Sequence, residues 1–271
     1  MAQTDWRAGD DGFDVRAVGR WVDRKTAVVD TLARMFATGM KNAWPRRAYL
    51  ELFAGPGRSW DRDKHQYVTG SALRAMDFDF TDYVFVDRDP RATAALLGRI
   101  KAHPRSPRAQ VRTGDCNALI DEVRTLLPPS ALTLAFIDPT AWEISFDTVA
   151  RLVADRKVDL LLTFHAFKLV RIAHLNHVEH VNAFFGTDAW LPIVRQPSSY
   201  RIVEELAALY NNQLAGLGYL QSYEHRVPFR NAKNSSLYQL VGFSRNPLGA
   251  KFWAEASKAS ESGQRQFEFG F

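Results

Sequence analysis

Leu50-Glu-Leu-Phe-Ala-Gly-Pro-Gly57 is the stretch of sequence that decides the fold. The apolar residues from Ala48 to Phe53 predict a short strand, and the two glycines behind them predict a tight turn. Because glycine has no Cβ, such a turn lets a ligand approach the backbone closely. Four further predicted strands also finish on polar residues. They are Tyr83–Val86 before Asp87, Gln110–Thr113 before Gly114 and Asp115, Ala131–Ile137 before Asp138, and Leu160–Phe164 before His165.

Helical stretches separate these predicted strands. They are Ser71–Phe78, Pro90–Lys101, Asn117–Leu126 and Phe146–Asp155. Strands that alternate with helices predict a parallel sheet with right-handed crossovers and helices on both faces. The nearly continuous apolar runs of the fourth and fifth strands fit a sheet that is buried on both faces. The sequence therefore predicts a doubly wound α/β fold.

The flanking segments extend this prediction. A helix is predicted over Val22–Met40, and after the fifth strand come helices over Ala166–Phe185 and Tyr200–Leu217. Two strands are predicted at the C-terminal side, Tyr219–Val227 and Leu237–Phe243, joined by a turn that contains Asn231, Asn234 and Ser235. An antiparallel hairpin added to five parallel strands gives a seven-stranded, mostly parallel sheet of the class I methyltransferase type. We predict one domain over 18–271 and a flexible lead over 1–17.

Composition narrows the class of protein. Hydrophobic residues make up 46% of the 271 residues and charged residues 24%, which excludes wholesale disorder, collagen and coiled coil. The single cysteine, Cys116, excludes an intramolecular disulfide and multi-cysteine metal sites and favours a cytoplasmic protein. With no apolar run of about 18 residues and no signal peptide, no membrane partner is expected. The net charge of +5 suits an anionic partner such as nucleic acid.

The residues that follow the strands predict a cofactor site, because ligands of open α/β sheets bind beyond the carboxyl ends of the strands. The turn would offer backbone amides, Asp87 would accept hydrogen bonds from ribose hydroxyls with Asp89 as its substitute, and Asp115 would meet an adenine amino group. The predicted cofactor-binding residues are Phe53, Ala54, Gly55, Pro56, Gly57, Asp87, Asp89, Asp115 and Cys116.

The predicted cofactor is S-adenosylmethionine. The dinucleotide fingerprint needs a third glycine where this chain has Trp60, which disfavours nicotinamide. S-adenosylmethionine has no pyrophosphate and requires only the tight glycine turn. Two structural alternatives stay open: the turn is an ordinary one, or Asp87 and Asp115 cap the helices that open at Pro90 and near Asn117.

The turn motif, with Gly70-Ser71 before the next helix, resembles the three-Cys-motif partner protein family, whose members resemble class I methyltransferases. The resemblance runs from about Val18 to Trp253, and its other pieces are Trp21 with Lys25, Ile137-Asp-Pro139, Gly242-Phe-Ser-Arg-Asn-Pro-Leu-Gly249 and Phe252-Trp253. It implies a methyltransferase-like fold and a three-Cys-motif radical-SAM-like protein as partner. The family's three cysteines belong to that partner, which is consistent with the single Cys116 here.

A candidate acceptor site lies in Asp138-Pro139-Thr140-Ala141-Trp142. Amino-directed nucleic-acid methyltransferases have Asp or Asn, two prolines and an aromatic residue after the fourth strand. Here Asp138 and Pro139 match, Thr140 replaces the second proline, and the ring comes one position late at Trp142. We predict that Asp138 orients the acceptor and that Trp142 supplies a flat wall, with a strand-end hydrogen-bonding role for Asp138 as the structural alternative.

Histidines crowd one region, at His165, His174, His177 and His180. On a helix the third residue of an i, i+3, i+6 series rotates away from the first two, so these residues do not predict a metal site. His165 follows the fifth strand and is a candidate acid, base or substrate contact, the alternative being an ordinary core histidine.

Basic residues interleave with aromatic residues near Lys64, His65 and Tyr67, and a basic stretch near the C-terminus includes Arg226, Arg230, Lys233 and Arg245. Such a pattern is typical of nucleic-acid surfaces, although a solvated basic face gives the same pattern. The sequence thus predicts a methyltransferase that acts on nucleic acid or on a modified or damaged base. The alternatives are a non-catalytic partner module of a three-Cys-motif protein and a small-molecule methyltransferase.

Overall fold

A computed structural model describes residues 5–19, 22–165, 168, 178–196, 201–220, 223–230 and 236–259. Its strands are β1 (Trp6–Ala8), β2 (Asp14–Val18), β3 (Arg47–Leu52), β4 (Arg58–Asp61), β5 (Gln66–Thr69), β6 (Asp82–Asp87), β7 (Ala109–Thr113), β8 (Leu132–Ile137), β9 (Lys157–Phe164), β10 (Val227–Arg230) and β11 (Ser236–Phe243). Its helices are α1 (Val22–Gly39), α2 (Ser71–Ala75), α3 (Pro90–Lys101), α4 (Cys116–Leu126), α5 (Phe146–Val153), α6 (Val178–Phe185), α7 (Leu191–Val194), α8 (Ile202–Gly216) and α9 (Pro247–Ala256).

The main sheet has seven strands in the order β10-β11-β9-β8-β3-β6-β7. The five strands from β9 to β7 run parallel, and β11 pairs antiparallel with both β9 and β10. This arrangement confirms the predicted doubly wound sheet with a C-terminal antiparallel hairpin. The last strand in the chain is inserted between its two neighbours rather than added at the edge.

Helices cover both faces of this sheet. The central strands β3 and β8 are buried along their whole length, as a parallel sheet covered on both faces requires, although β3 includes Arg47 and Glu51. On one face α1, α2, α3 and α9 contribute to an apolar cluster that includes Phe36, Leu96 and Trp253. On the other face α4, α5, α6 and α8 form a second cluster around Ile120 and Tyr210. No helix within the described ranges is long and apolar enough to cross a lipid bilayer.

The C-terminal hairpin begins later than predicted. Its first strand starts at Val227, and residues 223–225 form a single 3-10 turn instead of extending a strand back to Tyr219. Tyr219 is buried and its hydroxyl donates to the carbonyl oxygen of Val158 at 2.7 Å, which fixes this segment against the start of β9. The predicted turn at Asn231, Asn234 and Ser235 lies outside the described residues, as does most of 166–177 in the predicted helix over 166–185.

A second, four-stranded sheet with the order β1-β2-β4-β5 occupies two segments for which no strand was predicted. Residues 1–17 were expected to be a flexible lead, yet β1 and β2 lie there, and Val15 is fully buried. The reason is long-range: Arg99 on α3 donates to the Asp11 carboxylate at 2.8 Å and to the carbonyl oxygen of Asp14 at 3.0 Å. These contacts join segments more than 80 residues apart.

Candidate functional site

Strands of the main sheet end together at one edge, which we call the carboxyl edge. The ends of β3, β6, β8 and β9 place Glu51, Asp87, Asp138 and His165 there. The chain order reverses at β3, because β6 lies on one side of it and β8 on the other. Ligands of open α/β sheets bind at such a switch point. The carboxyl edge is therefore the candidate functional site.

The glycine turn after β3 is shaped by left-handed residues at alternate positions. Phe53, Gly55 and Gly57 have φ angles of 72°, 64° and 82°. The N–H groups of Phe53 and Ala54 both donate to the carbonyl oxygen of Val86, at 2.8 and 2.9 Å, which ties the turn to β6. A Cβ on Gly57 would lie 2.8 Å from Leu96, whereas one on Gly55 would have no neighbour within 4 Å. The backbone at Gly55 is thus open to a ligand.

Asp87 is held directly against this turn. One carboxylate oxygen accepts from the Gly55 N–H at 2.8 Å and the other from the Asp89 N–H at 3.0 Å. Asp89 is the residue that caps α3, accepting from the Arg91 N–H at 2.9 Å, so the alternative in which Asp87 is the cap is wrong. Arg16 on β2 lies 3.7 Å from Asp87 and 3.0 Å from Asp89. The carboxylate of Asp87 thus marks the β6 side of the turn.

The predicted adenine contacts lie after β7. Asp115 is exposed and caps α4, accepting from the Asn117 N–H at 2.8 Å, so the capping alternative holds for this residue. Cys116 is buried, and burial raises the pKa of its thiol to about 12. A contact of either residue with adenine stays a prediction.

Asp138, at the end of β8, pairs with a residue to which the sequence analysis assigned no role. Lys25 on α1 donates to the Asp138 carboxylate at 2.5 Å. Burial opposes ionisation of Asp138, but the Lys25 ammonium outweighs it and holds the pKa of Asp138 below its usual range. The Lys25 ammonium also lies 5.8 Å from the ring centres of Phe136 and Tyr238. The two opposite charges of this ion pair therefore lie beside the aromatic rings of Phe136 and Tyr238.

His165 and Tyr238 lie beside this ion pair, with ring centres 5.1 Å apart. Burial, and then the charge of Lys168, lower the pKa of His165 to about 4, so its ring is neutral at pH 7. His165 Nδ1 and the Tyr238 hydroxyl are buried and have no hydrogen-bond partner among the described residues. They are two of ten such atoms among the described residues, and they lie beside the Lys25–Asp138 pair.

The loop that contains Pro139 and Trp142 is fixed by hydrogen bonds. The Glu143 carboxylate accepts from the Ala141 N–H at 2.6 Å, and Lys168 donates to the carbonyl oxygen of Thr140 at 2.6 Å. Trp142 is half-buried and packs against the apolar cluster under α4 and α5. Its role as a wall for a planar acceptor stays a prediction.

Glu51 is a site residue that the sequence analysis missed. It is 1% exposed, and its two carboxyl oxygens accept from the Ser71 hydroxyl at 2.5 Å and from the Tyr49 hydroxyl at 3.0 Å. Burial raises the pKa of Glu51 to about 8, so it carries a proton at pH 7. The signal in the sequence was an acidic residue inside an otherwise apolar strand, which is costly unless hydrogen-bonded.

Two further predictions concern metal and phosphate. Within the described residues no cluster of three metal-ligating side chains occurs, and His174 and His177 lie outside them. Arg245 was expected to meet phosphate, but its guanidinium donates to the carbonyl oxygens of Leu217, Val153 and Arg156 at 2.9 to 3.1 Å. Arg245 therefore supports the fold, and Lys233 lies outside the described residues.

Comparison with known proteins supports the fold. An O-methyltransferase from Bacillus cereus in complex with SAH superposes with a TM-score of 0.50 at 10% identity, over 81% of this chain and 80% of that chain. The chain shares the fold of that enzyme. TomG, an O-methyltransferase from Streptomyces achromogenes in complex with SAM, gives a TM-score of 0.48 at 10% identity over 82% of this chain and 80% of that chain.

TYW2 from P. horikoshii, in complex with MeSAdo, gives a TM-score of 0.44 at 11% identity over 91% of this chain and 73% of that chain. No protein-family model and no curated protein sequence matches the chain. The resemblance to the three-Cys-motif partner family therefore stays a prediction, while the class I methyltransferase fold is shared with the Bacillus cereus enzyme.

Proposed function

We propose that the protein is an S-adenosylmethionine-dependent methyltransferase that acts on nucleic acid or on a modified or damaged base within one. One observation carries the proposal. At the switch point of a methyltransferase-type sheet, two acidic residues lie on either side of the glycine turn, Asp87 bonded to Gly55 and Asp138 paired with Lys25. The Asp87 carboxylate suits the ribose of a nucleoside, and the Asp138 carboxylate suits the group that accepts the methyl.

The residues of the carboxyl edge fit the cofactor. The open backbone at Gly55 and the carboxylate of Asp87 would hold the ribose, and the segment at Asp115 and Cys116 would hold the adenine. Glu51 and Lys25 lie on the β3 and β8 side, where the amino-acid end would be placed. When bound, S-adenosylmethionine supplies an electrophilic methyl group on a sulfonium.

Asp138 would orient the acceptor. The pKa of Asp138 lies below its usual range, so its ionised carboxylate can accept a hydrogen bond from an acceptor N–H and point the nitrogen lone pair at the methyl group. Orientation of this kind is a large part of what a methyl transfer requires from the protein. The Nδ1 of His165 and the Tyr238 hydroxyl, which bond to none of the described residues, would take further polar groups of the acceptor.

The small sheet supports nucleic acid as the substrate class. The guanidinium of Arg7 lies 4.0 Å from the Trp60 ring centre, and Trp60 packs edge to face with Tyr67 at 4.8 Å. Arg58 lies 5.5 Å from the same Tyr67 ring. Aromatic rings combined with arginine are typical of surfaces that bind single-stranded nucleic acid. Trp60, Tyr67 and Arg58 lie on the hairpin of β4 and β5, which directly follows the glycine turn in the chain, and Arg7 lies on β1.

The test is transfer of a labelled methyl group. The protein is incubated with labelled S-adenosylmethionine and, separately, with DNA, with RNA and with a small-molecule extract. Label is expected in a nucleic acid, and Asp138→Ala is expected to lower transfer by about a hundredfold because one preorganised contact is lost. Asp159→Asn is the matched control, since Asp159 is also a half-buried carboxyl group but lies away from the carboxyl edge.

The other outcomes decide between the alternatives. Label that appears only in the small-molecule fraction favours a small-molecule methyltransferase. No transfer, together with no calorimetric binding of S-adenosylhomocysteine at millimolar concentration, favours a non-catalytic module that partners a three-Cys-motif protein. Full transfer by Asp138→Ala would leave Asp138 as a strand-end residue without a role in the reaction.

A further inference from the structure

The ion pair of Lys25 and Asp138 occupies the centre of the proposed site. The two side chains are only 20% and 21% exposed, and their charged atoms are 2.5 Å apart. The Glu51 carboxyl group bonds the hydroxyls of Ser71 and Tyr49, and Lys25 contacts Asp138 instead. A paired Asp138 has one carboxylate oxygen committed to Lys25 and is less able to accept from an acceptor group.

The topology places the amino-acid end of the cofactor at this ion pair. Asp87 marks the ribose position on β6, and β8 lies on the opposite side of β3. A nucleoside joined to an amino acid that crosses β3 from the β6 side therefore brings its amino-acid end towards β8. That end is a zwitterion with a carboxylate, and Lys25 is the cation that contacts Asp138 at this position. A carboxylate and an ammonium form a strong charge-assisted hydrogen bond.

We propose that Lys25 exchanges partners when the cofactor binds. This inference rests on the proposed function. Lys25 binds the carboxylate of the cofactor's amino-acid end and releases Asp138, whose carboxylate then accepts a hydrogen bond from the methyl acceptor. No proton moves in the exchange, since the ammonium and both carboxylates keep their charges. Lys25 thereby couples cofactor binding to acceptor binding, and the cofactor binds first.

The experiment compares two probes by titration calorimetry. S-adenosylhomocysteine has the amino-acid end, and 5′-methylthioadenosine has the same nucleoside and thioether without it. Lys25→Met is expected to weaken S-adenosylhomocysteine binding by about 10-fold or more, since a hydrogen bond between charged groups is lost. Binding of 5′-methylthioadenosine is expected to be unchanged. Lys41→Met, which removes an exposed lysine paired with Asp79, is the matched control and changes neither affinity.

A second variant tests the exchange itself. Asp138→Asn removes the group that competes for Lys25, so it is expected to strengthen S-adenosylhomocysteine binding several-fold and to leave 5′-methylthioadenosine unchanged. A purely structural role for the ion pair predicts the opposite, weaker binding of both probes. Lys25→Arg keeps the positive charge and is expected to keep the preference for S-adenosylhomocysteine. This pair of variants decides the matter even when Lys25→Met does not fold.

The failure of this inference is distinct from failure of the proposed function. If the wild-type protein binds neither probe at millimolar concentration, the proposed cofactor is wrong. If it binds both and Lys25→Met leaves their affinity ratio unchanged, the cofactor stands and the exchange is overturned. An Asp138→Asn variant that binds S-adenosylhomocysteine no better than wild type overturns the exchange as well.

Discussion

Two half-buried carboxyl groups at opposite edges of the main sheet have different partners. At the carboxyl edge Asp138 pairs with the Lys25 ammonium, which holds its pKa below the usual range. Near the start of β9, at what we call the amino edge, Asp159 accepts from the neutral hydroxyl of Ser244 at 2.7 Å, and burial raises its pKa to about 6. The fold thus favours the ionised form of the carboxyl group where chemistry is proposed and disfavours it where the carboxyl group serves packing.

The free space around the two carboxyl groups also differs. At the amino edge a Cβ on Gly249 would lie 2.5 Å from the Asp159 carboxylate, and one on Gly242 would lie 2.5 Å from the Trp253 ring. At the carboxyl edge Gly55 is open. Two of the motifs behind the family resemblance therefore have different surroundings: the glycine turn leaves open space at the candidate site, and Gly242–Gly249 closes the packing of α9 on β9 and β11.

The largest expected effect is a loss of cofactor affinity when an acid at the carboxyl edge is removed, with no loss when one at the amino edge is removed. Asp87→Ala removes an ionised acceptor, which is worth about 1.5–3 kcal/mol, so S-adenosylhomocysteine binding is expected to weaken by about 10- to 150-fold. Asp159→Ala is expected to leave the affinity of the folded protein unchanged. Titration calorimetry measures both. Equal losses in the two variants would mean that the edges do not differ in function.

Asp89→Ala tests whether the effect on affinity is specific to Asp87, because Asp89 lies two residues from Asp87 and caps α3. Loss of a helix cap is expected to lower the free energy of unfolding by about 0.5–2 kcal/mol. The cofactor affinity of this variant is expected to stay near the wild-type value. A large loss of affinity here would transfer the ribose role from Asp87 to Asp89.

The next effect concerns packing at the amino edge. Gly249→Ala inserts a Cβ against Asp159 and Ser244 and is expected to lower the free energy of unfolding by about 1–3 kcal/mol. Gly216→Ala is the control, since a Cβ there has no neighbour within 4 Å, and it is expected to stabilise the helix by up to about 1 kcal/mol. Urea denaturation measures both changes. A neutral Gly249→Ala variant would show that the amino edge is loosely packed.

The smallest effect is a difference in pH dependence between Asp159→Asn and Asp138→Asn. The folded-state pKa of Asp159 is raised from 3.8 to about 6, so its contribution to the free energy of unfolding is lost as pH rises through that interval. The pKa of Asp138 is lowered from 3.8, so its contribution is lost as pH falls below that value. Subtracting each variant's stability curve from that of the wild type is expected to give slopes of opposite sign, measured by urea denaturation at a series of pH values. Slopes of the same sign would contradict the comparison.

Local sequence patterns were sufficient to predict the main sheet, because most of its parallel strands are rich in apolar residues and are followed by a polar residue, although β7 contains Gln110 and Arg112. They were not sufficient for the small sheet, where the strand Arg58–Asp61 has one apolar residue and its parallel partner lies about 40 residues earlier. The carboxyl edge followed from strand ends, so Asp87 and Asp138 were found. Lys25 was given no role because it lies 113 residues from Asp138 in the chain.

The position of β11 has a consequence for synthesis on the ribosome. This strand lies between β9 and β10 although it is translated after both. Until Ser236–Phe243 has emerged, the outer backbone groups of Leu160–Phe164 have no strand to pair with, and an unpaired strand edge favours aggregation. Tyr238, which flanks His165, is also on this strand. A nascent chain therefore completes its main sheet and its proposed acceptor site in the same late step.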